Sequence, residues 1–473
     1  MKSTRNVATS ALVATALAVS MTGVGAATKK STKKTVFRIR ATTSKATVAT
    51  TQPVTTQPPT TQPATTQPAT TQPATTVAAK GPDFTGFKLG PSTIKIGLDG
   101  IFTGPFGFLG TFQKNSIQVE VDRINDGGGL GGAKLELVTR DDALSAARAT
   151  DIANEFVNDK SIALVIGPAI TGTYNAVRGI YEDGKKVNCQ PAVGGDSGFG
   201  TTLKYAFRNQ DAANDVVPLE LKFLKEQGVG IVSLLYTNGA TGQQLDKLIP
   251  SLADKLGIVW AGTNFTQPSD QTHAPQVKEA LDVFSKRPEL KPAIWIDNDQ
   301  NAAKTVAAAK SAGFKGIFVG GSGLGSYLVI DSGGVGMEDA TYEGPYQGAL
   351  SRIPLDQQPK GYARHSAEVI KRYGYEKGTR EPVQQWRGTG IAADCLVIWA
   401  NAVAKAKSVD PDQVVNAWET LSFGPDDLPS GVPAKFGKGD HEAFKQADLW
   451  IWKWKKDAQG WYVELARKAD SAK

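Results

Sequence analysis

The sequence predicts an α/β protein made of two units of doubly wound parallel sheet, and three observations carry that expectation. From residue 93 onward, short β-branched apolar runs alternate with helical repeats. The third of those runs is apolar throughout, as a strand covered on both faces would be. The loops that leave the strands are rich in Gly, Pro and Thr, the grammar of βαβ units.

Thr93–Asp99 reads as the first strand and stops at the turn formers Gly100 to Pro105. Ile117, Val121 and Ile124 then recur at i, i+4 and i+7, one face of a helix. Asn125–Gly129 ends that helix, because glycine accepts the left-handed conformation of a helix stop. Leu135–Val138 is a second strand, Ala146, Ala149, Ala153 and Phe156 mark a second helix, and Ser161–Ile166 is a third strand. A helix from about Thr173 to Asp183 and short strands at Val187–Gln190 and Tyr205–Arg208 complete the first unit. Polar, turn-rich Asn209–Asn214 is the first crossing between units.

The alternation restarts with strand Val229–Tyr236, helix 241–256, strand 257–265, helix 274–286, strand Pro292–Ile296, helix 300–312 and strand Gly316–Val319. Helices near 357–373, 389–407 and 411–421 follow, and a hairpin of Ala447–Trp454 with Trp461–Ala466 closes the chain. Open parallel sheets bind ligands at the carboxyl ends of their strands. Function is therefore expected at the loops Thr103–Pro105 and Gly167–Gly172.

The formal charge of +7 is unevenly spread. Ten Lys/Arg and no Asp or Glu fall within residues 1–82, leaving 43 basic against 46 acidic residues beyond, a net of about −3. The folded part lacks the basic footprint of a nucleic-acid binder. Three His and two Cys, none clustered, do not build a structural zinc site, and neither a metal nor a cofactor is expected. Gly127, Gly129 and Gly132 match GxGxxG, but the match follows a helix and opens a strand, the reverse of a dinucleotide fingerprint.

Residues 1–26 read as a signal peptide: Lys2 and Arg5, an Ala/Val/Leu run, then Val24-Gly-Ala26 as a small-residue cleavage site. No cysteine near that point would carry a lipid anchor, so a secreted, extracytoplasmic chain of the cell envelope is expected. Residues 27–49 are a basic Ser/Thr-rich arm, and 50–90 a disordered linker with five pentads, TTQPV, TTQPP and three of TTQPA. Such a segment is expected to be extended and solvated. The arm and linker are either a stalk whose basic end touches anionic envelope polymer, or an ordinary disordered tail.

Five stretches resemble a family. Gly97-Leu-Asp-Gly-Ile-Phe-Thr-Gly-Pro105, Val121-Asp-Arg-Ile-Asn-Asp-Gly-Gly128, Leu135-Glu-Leu-Val-Thr-Arg-Asp-Asp142, Val165-Ile-Gly-Pro168 and Gly179-Ile-Tyr-Glu-Asp183 occur in the same order as in type I periplasmic binding proteins. The nearest likeness is to the branched-chain amino-acid-binding branch that serves ABC importers. It covers roughly residues 93–466 and is strongest over the first unit. It implies two α/β lobes joined by hinge strands, residues 91–211 with 344–445 and residues 212–343 with 446–473. It further implies a ligand closed between the lobes, an ABC permease as partner, and no catalysis.

The resemblance also implies site residues. Thr171 matches the Ser/Thr that holds the ligand carboxylate, and the physics agrees, since a hydroxyl beside unpaired N–H groups at a helix N-terminus favours an anion. A plain helix cap is the alternative. Thr103, Ala169 and Ile170 share its two loops. Where the family carries hydroxyls in the Pro191–Gly195 loop, this chain has Val193, Gly194 and Gly195 and only backbone groups. Phe108 and Leu109 fall on the family's aromatic wall, with core packing as the alternative. In the second lobe Ser322 stands where an acid would hold an ammonium, and Thr241 where an aromatic is usual. Asn298 replaces a second aromatic, between Asp297 and Asp299, which supply the missing charge or simply cap a helix.

Cys189 ends a first-lobe strand, and Cys395 lies in a helix that the family packs on the same lobe. An even cysteine count in an exported chain favours a disulfide, with two buried thiols as the alternative. Trp450, Trp452 and Trp454 share one strand face, which is either an exposed platform or buried. His273, His365 and His441 are isolated and receive no role. The expected function is capture of an amino acid, amide or small carboxylate for ABC-type import. The rival is a ligand-sensing or envelope-associated module without transport. An enzyme would need a nucleophile elbow, metal cluster or phosphate loop, and the sequence places none where it could work.

Overall fold

The computed structural model describes residues 82–104, 106–237, 239–267, 269–297, 302–325, 337–345, 357–374, 389–458 and 460–468. The expected signal peptide, basic arm and linker to residue 81 lie outside the described residues, as do Asn298 and Asp299.

The first sheet joins β1 (Thr93–Gly100), β2 (Lys134–Asp141), β3 (Ile162–Ile166), β4 (Asn188–Gln190) and β5 (Ala206–Arg208), all parallel, in the order β2-β1-β3-β4-β5. Helices α1 (Gly107–Asp126), α2 (Ala146–Asn158) and α3 (Thr171–Asp183) make its crossovers. That order turns back between β1 and β3, and the crevice it opens lies at the carboxyl ends of those two strands.

The second sheet repeats the winding. Strands β6 (Val229–Thr237), β7 (Val259–Thr266), β8 (Lys291–Asp297) and β9 (Ile317–Gly320) run in the order β7-β6-β8-β9. Helices α4 (Ala213–Glu226), α5 (Ala240–Lys255), α6 (Ala274–Phe284) and α7 (Ala302–Ser311) accompany it. Its turning point lies between β6 and β8. Strand β10 (Thr341–Pro345) follows, then α8 (Lys360–Tyr373), α9 (Thr389–Ala406) and α10 (Pro411–Trp418). A two-residue pair, β11 (Ser422–Phe423) with β12 (Ala434–Lys435), precedes the hairpin of β13 (Leu449–Asp457) and β14 (Gly460–Arg467), whose first strand pairs with β10.

Three features differ from the sequence reading. Helix α4 follows the crossing directly. Its polar start and the helix-breaking Pro218 conceal it, yet Val217, Leu219, Leu221 and Leu224 are wholly buried. Strand β10 is defined by its partner β13 rather than by its own pattern. The linker ends earlier than residue 90: Phe84 is buried in the first-lobe core, and its carbonyl accepts the Gly131 N–H at 2.8 Å. Phe87 and Leu89 also pack against that core, and Leu89 N donates to the Gly131 carbonyl at 3.0 Å.

Helix α9 is apolar almost all round, the mark of a helix without a solvent face, and Ile391 to Ala400 are buried without exception. Its Cys395 is bonded to Cys189 on β4, with the Cα atoms 5.8 Å apart. Asp394 beside it accepts from Ser430 N at 2.8 Å and Asn209 Nδ2 at 3.3 Å, tying the first crossing to this helix. Trp452 and Trp454 are buried in the second-lobe core, and Trp450 stacks on Trp452 at 5.9 Å, so they form no exposed platform.

Candidate functional site

The first-lobe half of the site begins where β3 ends. Gly167 has φ +93°, and a Cβ there would stand 2.0 Å from the Asp99 carbonyl oxygen, so only glycine lets β3 leave the sheet this close to β1. Ala169 then buries itself against Ile101 and Leu109, which sets Ile170 and Thr171 at the mouth of the crevice. Thr171 is the first residue of α3, and Ile170 offers that helix no side-chain cap. The Thr171 hydroxyl instead accepts the Gly195 N–H at 3.2 Å. It is no plain helix cap.

Arg208 organises the loop that supplies Gly195. It is 2% exposed, donates to the carbonyls of Gly195 at 2.8 Å and Val193 at 3.4 Å, pairs with Glu442, and lies 4.9 Å over the Phe199 ring. The Gly194 carbonyl, in the same peptide unit as the Gly195 N–H, accepts from Ala213 N at 2.9 Å, and the Gly195 N–H points the other way, to Thr171. A methyl on Gly195 would meet Thr171 Cγ2 at 2.5 Å and Oγ1 at 3.3 Å. Gly195→Ala should therefore displace the threonine and weaken ligand binding about tenfold with little change in the unliganded melting temperature. Calorimetric titration of parent and variant measures this.

The second-lobe half begins where β6 ends. Gly239 precedes α5 and offers no side-chain cap, so this helix too begins without one. The α3 and α5 N-termini meet across the crevice. Thr171 Oγ1 and Thr241 Oγ1 are 3.1 Å apart, and Asp196 N donates to Gln244 Oε1 at 2.8 Å. These bonds join one lobe to the other, as in a closed form.

Between the lobes lies a cavity of about 430 Å3, within the range of small-molecule sites. Ile170, Thr171, Ala192, Gly194, Gln210 and Asp211 line it from the first lobe and crossing. Thr237, Thr241, Leu245, Trp295, Asp297 and Gly321 line it from the second. No Lys or Arg stands among the described lining residues. Two helix N-termini face it, which favours a negative group there, and the carboxyl groups of Asp211 and Asp297 belong to the same wall. One small guest with both signs of charge would suit it.

Of the residues named from sequence, Thr171, Ile170, Gly194 and Thr241 line this cavity, and Gly195 touches it through Thr171. Thr103 does not line it; it is exposed and donates to Asp141 Oδ2 at 2.7 Å. Phe108, Leu109, Ala169 and Val193 pack behind the wall, while Phe106, two residues earlier, faces the cavity. Residues two apart at the entry to a helix diverge, and the sequence carries no signal to choose between them. Ser322 begins a 3-10 turn after β9, whose neighbour Gly321 lines the cavity. Asp297 reaches the wall, and Asp211 was missed because the turn-rich crossing concealed it.

A larger cavity, about 700 Å3, lies on the first lobe beside α1 and α8. Most of its charged groups pair with one another: Glu120 takes His365 Nδ1 at 2.8 Å and Arg123 Nε at 2.5 Å, Arg372 pairs with Asp122 and Glu368, and Arg364 stands 3.9 Å from Glu120 without a hydrogen bond among the described residues. Ser116 Oγ sits 3.1 Å from His365 Nε2, which gives a serine-histidine-carboxylate string. All three members are buried on packed helices, and the string pins α1 to α8. His273 and His441 are likewise buried in local pairs with Thr305 and Glu419. The smaller interlobe cavity is the candidate site.

A family model described as periplasmic binding protein matches residues 93–459. A leucine-, isoleucine-, valine-, threonine- and alanine-binding protein of Pseudomonas aeruginosa is 26% identical over 385 residues, covering 79% of this chain and 93% of that one. Two solved structures share the fold. A branched-chain amino acid transporter substrate-binding protein of Streptococcus pneumoniae, in complex with isoleucine, has a TM-score of 0.63 at 17% identity over 79% of this chain and 99% of that one. An ABC transporter solute-binding protein of R. palustris, in complex with 4-hydroxybenzoate, has a TM-score of 0.66 at 15% identity over 79% and 96%.

Proposed function

Because this chain belongs to the periplasmic binding protein family, an extracytoplasmic family of solute-binding proteins and not of enzymes, we propose that it captures an amino-acid-like zwitterion between its lobes and delivers it to an ABC permease. The observation that carries the reading is the pairing of charges in one cavity. The amides of α3 and α5, with the Thr171 hydroxyl between them, favour a carboxylate; Asp211 and Asp297 on the same wall favour an ammonium. The carboxylate pair takes over from the acid that Ser322 replaces. The names of the matched relatives point the same way, toward leucine, isoleucine, valine, threonine and alanine. The 4-hydroxybenzoate complex marks an aromatic carboxylate as the competing class.

In this mechanism the first lobe takes the ligand first, through Thr171 and the amides beside Gly194 and Gly195. Hinge motion at the crossings near residues 211, 343 and 445 then brings up α5, β8 and the turn after β9. The ligand favours closure only by the contacts it makes better in the closed form, and the Thr171–Thr241 and Asp196–Gln244 bonds are available only there. The closed outline is what the permease reads.

Thermal-shift screening of the amino acids, their amides and 4-hydroxybenzoate tests the proposal. A ligand at about a hundredfold its Kd adds about 2.7 kcal/mol. An amino acid is expected to register, and Thr171→Ala to remove that shift while the unliganded melting temperature stays nearly constant. A response to 4-hydroxybenzoate alone would overturn the zwitterion. An undiminished response in Thr171→Ala would overturn the anchor.

A further inference from the structure

Two consecutive peptide units of the loop after β4 serve opposite halves of the site. The Gly195 N–H donates to Thr171 on its own lobe. In the next unit the Gly195 carbonyl accepts from Arg208 Nη1 at 2.8 Å, and the Asp196 N–H donates to Gln244 Oε1 of α5 at 2.8 Å. The carbonyl and N–H of one planar trans unit point in opposite directions. The guanidinium that holds the carbonyl therefore also aims the N–H across the crevice. Arg208 is itself held, 2% exposed and paired with Glu442. A carbonyl that accepts from a charged donor polarises its peptide unit, which strengthens the N–H as a donor. Gln244 is fixed from the other side: its Nε2 donates to Asn214 Oδ1 at 3.3 Å, at the start of α4. That leaves Oε1 as the atom presented to Asp196. Thr241, Gly242 and Leu245 of the same helix line the cavity, whereas Gln244 is not among the described lining residues.

We infer that Gln244 is a positioning residue that latches the closed form through the Gly195–Asp196 peptide, and so scales the affinity for every guest by one factor without selecting among guests. The inference rests on the interlobe reading above and adds to it a residue that acts from outside the cavity wall. A guest that needs both lobes binds tightly only to the closed form. Its apparent affinity is then its intrinsic affinity multiplied by the fraction of protein that is closed. A bond that joins lobe to lobe and does not reach the guest changes that fraction alone. Thr171 and Thr241 differ in this respect, since both line the cavity.

The test uses the purified full-length chain, with leucine, threonine and any other of the twenty amino acids that bind the parent as calorimetric probes. Gln244→Met keeps the length of the side chain and removes the acceptor. Every dissociation constant should rise about fivefold, with the ratios between probes held within about twofold of the parent's. The unliganded melting temperature should not change. Unchanged constants overturn the inference. Losses that differ between probes also overturn it, because Gln244 would then touch the guest. Equal losses with a lower unliganded melting temperature overturn it too, because packing of α5 would then be the cause. If none of the twenty amino acids binds the parent, the amino-acid reading fails separately, and amide hydrogen exchange decides the latch. The Asp196 amide should exchange faster in Gln244→Met than in the parent, while Gly195, bonded to Thr171, keeps its rate. Equal rates at Asp196 overturn the latch whether or not an amino acid binds.

Discussion

Replacing Cys189 and Cys395 together by alanine is expected to destabilise the protein by about 4 kcal/mol. The bond closes a loop of 206 residues that contains the entire second sheet. In the chain-entropy account, the longer the closed loop, the more the cross-link restricts the unfolded chain. The native geometry suits a bridge, with Cα atoms 5.8 Å apart, and both residues are wholly buried. The bond therefore joins two elements, β4 and α9, that reach the same core from opposite ends of the chain. Denaturation midpoints of parent and double variant, with and without reductant, measure the effect. The parent should fall to the variant's midpoint under reductant. Coincident midpoints throughout would mean that packing of α9 alone holds the ends together.

Asp99 provides the second large effect, and its sign depends on pH. The side chain has no exposed surface, and neither carboxylate oxygen has a hydrogen-bond partner among the described residues. Burial, and then the nearby charges of Asp142 and Asp141, push its carboxyl up to about 8. The folded protein keeps this proton up to that pH, whereas the unfolded chain releases it near pH ~3.9. Across that window the folded state holds one proton more, so stability falls by up to about 1.4 kcal/mol per pH unit as pH rises. Asp142, raised to about 6 mainly by burial, acts in the same direction over the lower part of the window. Asp99→Asn has no proton to lose. Between about pH 5 and about pH 8 the parent is expected to lose about 3 kcal/mol more than the variant does. Denaturant midpoints across that range test this, and a variant that tracks the parent's slope would show that Asp99 is ionised in the fold.

The candidate site was partly legible for the same reason the fold was. Thr171 stands out because a hydroxyl at the start of a helix, after an apolar strand and a Gly-Pro turn, is a local pattern. Gly194 and Thr241 were named by matching positions to the family, and both line the cavity. Phe108 and Leu109 were named from the family resemblance, and in the structure Phe106 lines the cavity instead. Asp211 and Trp295 had no such signal. One lies in a polar crossing, and the other sits within an apolar strand like any core residue.

By itself the sequence determined the alternation of strands and helices, the two similar units and the glycine-rich turns that leave the strands. Those depend on periodicity and turn chemistry over a few residues, and neighbours in the chain settle them. Only the tertiary structure decided that Thr171 meets Thr241 across a gap of seventy positions, that β10 finds β13, and that Asp211 and Asp297 belong to one cavity wall. Such contacts depend on how two lobes approach after the chain has crossed between them. No local pattern records that approach, because its energy lies in surfaces that only the folded lobes possess.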